Sequence, residues 1–179
     1  MRARRRALTR HGRGRLLDLG GADTHHNLWT GAAGVTEATV LGGVSDRRLG
    51  ELACAGERFD TVVSVFQLAA SAELTETLRS LRQVLAEDGR LLFLEPGAQV
   101  GLAGRVQRLV TPPLRGLTGW RPDRDIPAEL RTAGLSVIDI RRHRFPTLQP
   151  WLRQVLEGVA HHALVPGGGA APGPSAEPA

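Results

Sequence analysis

At 179 residues the chain can bury one ordinary hydrophobic core and is too short for two typical domains, so one domain with loose ends is expected. All 23 basic side chains behind the net charge of +5 are Arg, with no Lys or Tyr and a single Asn (Asn27); this is coding bias of a GC-rich kind, and without a recognition motif it argues against a nucleic-acid partner. The lone Cys54 excludes an internal disulfide and a Cys-rich zinc site, and no apolar run approaches the roughly 18 residues of a membrane span, so a cytoplasmic protein is expected.

Residues 1–14 are Arg-rich and lack apolar periodicity, which predicts a flexible lead-in. Arg15-Leu16-Leu17-Asp18-Leu19-Gly20 is a short apolar run stopped by Gly20-Gly21 and reads as a first, doubly buried strand. Ala38-Thr39-Val40-Leu41, closed by Gly42-Gly43, reads as a second strand, and Ser45 is placed to cap a short helix through Asp46, Leu49 and Leu52. Thr61 to Phe66 is rich in β-branched residues without polar alternation, as in a central strand covered on both faces. Ser71 is expected to cap the next helix, whose Leu74, Leu78, Leu81 and Leu85 recur at helical spacing. Gly89 turns the chain into a strand over Arg90–Glu95, stopped by Pro96. Two buried strands joined by a helical crossover run parallel, so Phe59 to Glu95 is a βαβ unit.

Leu102, Val106, Leu109 and Val110 mark an amphipathic helix ended by Pro112-Pro113, its apolar stripe expected to pack on the sheet, with contact to a membrane surface as the lesser reading. Ile126 to Ala133 reads as a helix stopped by Gly134, Ser136–Ile140 as a strand, and Trp151 to His161 as a last helix burying Leu152, Val155, Leu156 and Val159. From Val165 the Gly, Pro and Ala content predicts a disordered tail over 165–179. The domain is therefore placed at 15–164.

FDTVVSVFQLAASAELTETLRSLRQVLAEDGRLLFLEP, residues 59–96, with RPDRDIPAELRTAGLSVIDI, residues 121–140, resembles the class I S-adenosylmethionine-dependent methyltransferases, in the branch that modifies small molecules, lipids or quinones. The resemblance runs from about Arg15 to Ala163. It implies an α/β fold: a Rossmann-like, mostly parallel sheet with helices on both faces. It also implies S-adenosylmethionine as cofactor and a small-molecule or lipid-like acceptor. Methyl transfer from a sulfonium is an in-line displacement on an activated donor, so positioning and desolvation dominate and no catalytic triad is required.

The family's first strand ends in an acidic residue and a Gly-x-Gly-x-Gly turn, which brings backbone close to the cofactor. Here Asp18 and Gly20 match that pattern, while Ala22 and Thr24 stand where further glycines are expected. Only about 38 residues separate Gly20 from Phe59, against roughly 30 for each βα unit, so one unit is expected to be missing or reduced. The family's ribose-binding acid has no clean counterpart: Gly42-Gly43 occupies its place, with Glu37 and Asp46 nearby.

The resemblance thus nominates Asp18, Gly20, Gly21 and Ala22 as cofactor-binding, together with Phe66 and Gln67 at the carboxyl end of the strand after which they lie. Phe66 is equally well read as core. His25 and His26 read more simply as surface loop, His161 and His162 as partners of a helix end, and no spacing fits a metal site. Trp120, Arg121, Asp123 and Arg124 are read either as an acceptor cap or as a structural Arg–Asp pairing. The catalytic residues and the oligomeric state are left unassigned. A non-enzymatic, scaffolding methyltransferase-like domain is the alternative, and a nicotinamide-dependent reductase is disfavoured because Gly-x-Gly-x-x-Gly is absent.

Overall fold

A computed structural model of the protein describes residues 11–20, 34–43, 46–99, 101–145 and 153–163. The lead-in before His11, the cap proposed at Ser45 and the tail from residue 164 lie outside the described residues. Along the chain come β1 (Gly14–Asp18), β2 (Val35–Val40), α1 (Asp46–Cys54), β3 (Phe59–Val65), α2 (Leu74–Val84), β4 (Leu85–Pro96), α3 (Gly101–Thr118), α4 (Ile126–Thr132), β5 (Leu135–Arg144) and β6 (Gln154–His162). The strands form one sheet in the order β2-β1-β3-β4-β6-β5. Adjacent strands from β2 through β4 are parallel, and β6 is antiparallel to both β4 and β5.

The βαβ unit read from the sequence is β3–α2–β4, with Val62 opposite Leu91, Val63 opposite Leu92 and Ser64 opposite Phe93. β3 is buried on both faces from Thr61 to Val65, which is why its sequence lacks polar alternation. Side chains alternate between two clusters, as the two-residue period of a strand requires. Leu17, Leu19, Val62, Leu91 and Phe93 meet the helices α1, α2 and α4 through Leu49, Leu78 and Leu130, while Leu16, Val63, Val65, Leu92 and Val159 form a cluster on the opposite face. The stripe Leu74, Leu78 and Leu81 is buried as its spacing predicts, each side chain contributing about 1.5–3 kcal/mol.

Four local expectations are corrected. Ser71 is not the cap of α2: Glu73 holds that position without a side-chain cap bond, and the Ser71 hydroxyl instead meets the Thr77 hydroxyl at 2.7 Å. β4 begins earlier than Arg90, because Phe59 already pairs with Leu85; the pairing then jumps to Thr61 opposite Arg90, so residues 86–89 bulge out between them.

The segment expected to be the last helix is β6. Trp151 and Leu152 lie outside the described residues, but Val155, Leu156, Val159 and Ala160 are buried on both faces of a strand inserted between β4 and β5. A run buried on two sides carries no alternation, and its apolar spacing mimics a helix. Gly158 was the contrary signal. A Cβ there would collide with Phe93 Cζ and come within 2.7 Å of the Asp139 carbonyl oxygen, so the position demands glycine for close approach across the sheet. His161 and His162 consequently do not complement a helix end. Their ring nitrogens lie 3.1 Å from the carbonyl oxygens of Gly89 and Leu85, tying the β4 bulge to β6.

The fourth correction concerns α3, which runs through Pro112-Pro113 instead of ending there. The two missing N–H groups would have served the carbonyls of Arg108 and Leu109; both residues are exposed, so water can satisfy those oxygens. Its inward face is Gly104, Gln107 and Thr111 rather than the leucine stripe. Gln107 fixes it: its side-chain oxygen accepts from the Gln99 N–H at 2.8 Å, and its amide donates to the carbonyls of Gly97 at 3.1 Å and Pro122 at 2.7 Å.

Candidate functional site

β1 is flanked by β2 on one side and β3 on the other, so successive connections leave it in opposite directions. Open α/β sheets bind ligands outside the carboxyl ends of their strands at such a switch point. Asp18 ends β1 there and is fully buried, and its Oδ1 accepts the Gly20 N–H at 2.8 Å, folding the chain sharply over the strand end. The backbone around it is held on both sides: Leu19 N–H donates to the Val63 carbonyl at 2.9 Å and Leu41 N–H to the Asp18 carbonyl at 2.8 Å. Gly21 and Ala22, together with Thr24, His25 and His26, lie outside the described residues.

Beside Asp18, β2 ends and leads into Gly42-Gly43, and among the described residues a Cβ built on either glycine would meet nothing within 4 Å. Among the described residues nothing crowds the carboxyl edge there, and an extended ligand lying across β1 and β2 would meet none of them at these glycines. Of the nearby acids, Glu37 does not close it. Glu37 sits within β2 and pairs with Arg15 at 3.2 Å, and Asp46 opens α1.

Phe66 and Gln67 leave the carboxyl end of β3, both half-buried. Phe66 adopts φ 58°, a left-handed conformation unusual for a bulky side chain, and such strain persists only where surroundings over-determine it. The surroundings are a clamp of two buried side chains on the 66–71 loop. From one side the Glu95 carboxylate, fully buried, accepts the Ser64 hydroxyl at 2.6 Å and the N–H groups of Leu68 and Ala69 at 3.1 Å each. From the other, Arg124 Nη1 donates to the carbonyls of Leu68 at 2.9 Å and Ser71 at 2.7 Å, and the Arg121 N–H donates to the Ala69 carbonyl at 2.9 Å. The Phe66 ring is met by Trp120, with centroids 5.6 Å apart and planes tilted by 37°.

Of the two readings of the Trp120–Arg124 segment, then, Trp120 approaches the site while Arg124 turns inward to hold backbone. The Arg–Asp pairing is not what is formed: Asp123 Oδ1 is buried with no hydrogen-bond partner. Burial, with Arg121 adding repulsion, lowers the Arg124 pKa from its ordinary value, and a guanidinium remains charged regardless. Burial pushes the Glu95 carboxyl up to about 7, against the opposing pull of the hydrogen bonds from Ser64 and the loop N–H groups.

The structure thus brings Asp18, Gly20, Phe66 and Gln67 to one edge of the sheet. Glu95 and Ser64 complete it as supports that sequence reasoning did not place there, and Arg124, read as an acceptor cap or a structural pairing, joins them as a support. The only available signal was polarity inside an apolar run: Ser64 in β3 and Glu95 after Leu91–Leu94, each of which must find a partner when buried. Among the described residues no group of three His, Cys, Asp or Glu side chains could hold a metal ion, and no helix is long and apolar enough to cross a membrane.

No protein-family profile and no curated protein sequence matches the chain. Solved structures do match in shape. The mitomycin 7-O-methyltransferase MmcR superposes with a TM-score of 0.57 at 16% identity, over 84% of this chain and 49% of that one. The Burkholderia thailandensis 1,6-didemethyltoxoflavin-N1-methyltransferase, solved with 1,6-didemethyltoxoflavin and S-adenosylhomocysteine bound, gives 0.61 at 16% identity over 90% and 77%. The N-methyltransferase NodS from Bradyrhizobium japonicum WM9 gives 0.56 at 15% identity over 90% and 96%. At such identities the likeness establishes an α/β fold that these enzymes also have, and the chain spans about half the length of MmcR.

Proposed function

We propose that the protein transfers a methyl group from S-adenosylmethionine to a small or lipid-like acceptor. The observation that carries this reading is the buried Asp18 carboxylate, folded over by Gly20, at the switch point of a sheet with the methyltransferase fold. A buried carboxylate there suits the ammonium group of the cofactor's amino-acid end, and Gly20, with Gly21 and Ala22 following it, would line that end. The open edge at Gly42-Gly43 accommodates the nucleoside end, held by backbone and apolar contact instead of a carboxylate from β2. Phe66 and Gln67, on a loop clamped by Glu95 and Arg124, would set the distance between donor and acceptor. The cofactor itself supplies the activated methyl group. The chain's own part is to orient the two reactants and exclude water.

Calorimetric titration with S-adenosylmethionine and S-adenosylhomocysteine tests the proposal. Binding of both is expected, weakened about tenfold or more by Asp18→Asn. No heat and no thermal shift at millimolar ligand would overturn it. The rival reading, a non-enzymatic scaffold with the same fold, draws on Ala22 and Thr24 in the glycine turn and on the short span before Phe59. Measured methyl transfer that is abolished by Gly20→Val eliminates that rival.

A further inference from the structure

α3 is amphipathic in the wrong sense for a helix that belongs only to this domain. At about 100° per residue, Leu102, Val106, Leu109, Pro113 and Leu117 fall in one arc, nearly opposite the inward Gly104, Gln107 and Thr111. The arc is in solvent: Leu102 is 76% exposed, Leu109 77% and Leu117 85%. Gly104 ensures this orientation, because a Cβ there would strike the Gln99 carbonyl oxygen. Exposed leucines in a row, kept outward by a polar inner face, need an apolar partner.

The charge around the arc selects that partner. No Asp or Glu occurs between Glu95 and Asp123, whereas Arg105 and Arg108 border the arc on one side. On the other side, past Ala103, an open crevice of about 430 Å³ is lined by Gln99, Ala103, Arg142, His143, Arg144, Arg153 and Gln154. The nearby carboxylate of Glu157 is engaged by His143 Nε2 at 2.6 Å and leaves the crevice basic. β5 runs parallel to β4, so Arg142 and Arg144 sit at the same carboxyl edge as the candidate site.

We propose that α3 lies in the surface of an anionic bilayer, its leucine arc at the acyl boundary and the flanking arginines on lipid phosphates, with the basic crevice cradling a headgroup. The length and sidedness are those of an interfacial helix, which rests on a membrane without crossing it. Arginine pairs with phosphate in two-point fashion, which suits headgroups over neutral surfaces. Docking in this way would turn the carboxyl edge of the sheet towards the bilayer. The proposal does not depend on methyl transfer, and its test does not use it.

The full chain is sedimented with vesicles of phosphatidylcholine alone and of phosphatidylcholine containing about a quarter phosphatidylglycerol. Binding to the anionic vesicles is expected to be at least about tenfold tighter. Joint Leu109→Asp and Leu117→Asp substitution should weaken it about tenfold or more, with an unchanged thermal melt because both side chains are exposed. Arg105→Gln with Arg108→Gln should keep the fold and narrow the preference for anionic vesicles. About 10 mM inorganic phosphate at constant ionic strength should leave vesicle binding intact, since single phosphates cannot replace the apolar contact. Equal binding to both vesicles, binding to neither, displacement by free phosphate, or indifference to the leucine substitutions would each overturn the proposal. So would a concentration-dependent dimer dispersed by Leu109→Asp, which would assign the arc to a second copy of the chain.

Discussion

Replacing Glu95 by Gln should remove a specific share of the pH dependence of stability. In the folded protein the fully buried carboxyl titrates near 7, against an ordinary value of 4.5. Below the ordinary value the group is protonated in both states and its contribution is constant. Between 4.5 and about 7 the unfolded chain gives up the proton while the folded protein keeps it, so folding is progressively disfavoured as pH rises; above about 7 the loss is complete. At about 1.36 kcal/mol per pH unit the total is about 3 kcal/mol. A glutamine of the same shape cannot ionise, and it presents an NH₂ group where one carboxylate oxygen accepts, leaving one loop N–H facing a donor at a constant cost of about 1–3 kcal/mol. Urea denaturation of both proteins at intervals from pH 5 to 8 reads the difference directly, and histidines common to both cancel in it. The expected outcome is a difference that favours the wild type at pH 5, shifts by about 2–3 kcal/mol towards the glutamine variant by pH 8, and so closes or reverses. Parallel stability curves would refute the reasoning, because they would mean that Glu95 does not ionise in this window or that its burial carries no such cost.

The other predictions follow from named contacts. Arg124→Met should strip the Leu68 and Ser71 carbonyls of their donor and cost about 3 kcal/mol, read by chemical denaturation, while raising hydrogen exchange in the 66–71 loop. Gly158→Ala should cost at least about 2 kcal/mol, since the new methyl meets the Phe93 ring and the Asp139 carbonyl; were the segment a helix, the same change would stabilise it. Leu109→Ala should leave stability within about 0.5 kcal/mol, whereas Leu91→Ala, fully buried in β4, should cost about 2–5 kcal/mol on the same denaturation curves.

Sequence alone determined the elements whose own residues carry their instructions. The β-branched run at Thr61–Val65, the leucines of α2 and the strand closing at Glu95–Pro96 define a βαβ unit locally, because period and composition agree at every step. The edge position of Asp18 and Gly20 was legible for the same reason: a polar residue and glycine at the end of an apolar run. What only the tertiary structure decided were the choices that depend on partners distant in the chain. Val155–Ala160 has helical spacing, yet it pairs as a strand because β4 and β5 each offer an unpaired edge and Gly158 permits the approach. The periodicity of α3 shows that it has an apolar side without showing where that side points. That direction is set by Gly104, where a Cβ would strike the Gln99 carbonyl oxygen, and by Gln107, whose side chain hydrogen-bonds to residues 97, 99 and 122. The clamp of Glu95 and Arg124 on the loop after β3 joins residues 27 and 56 positions apart, and no local pattern encodes a contact at that range.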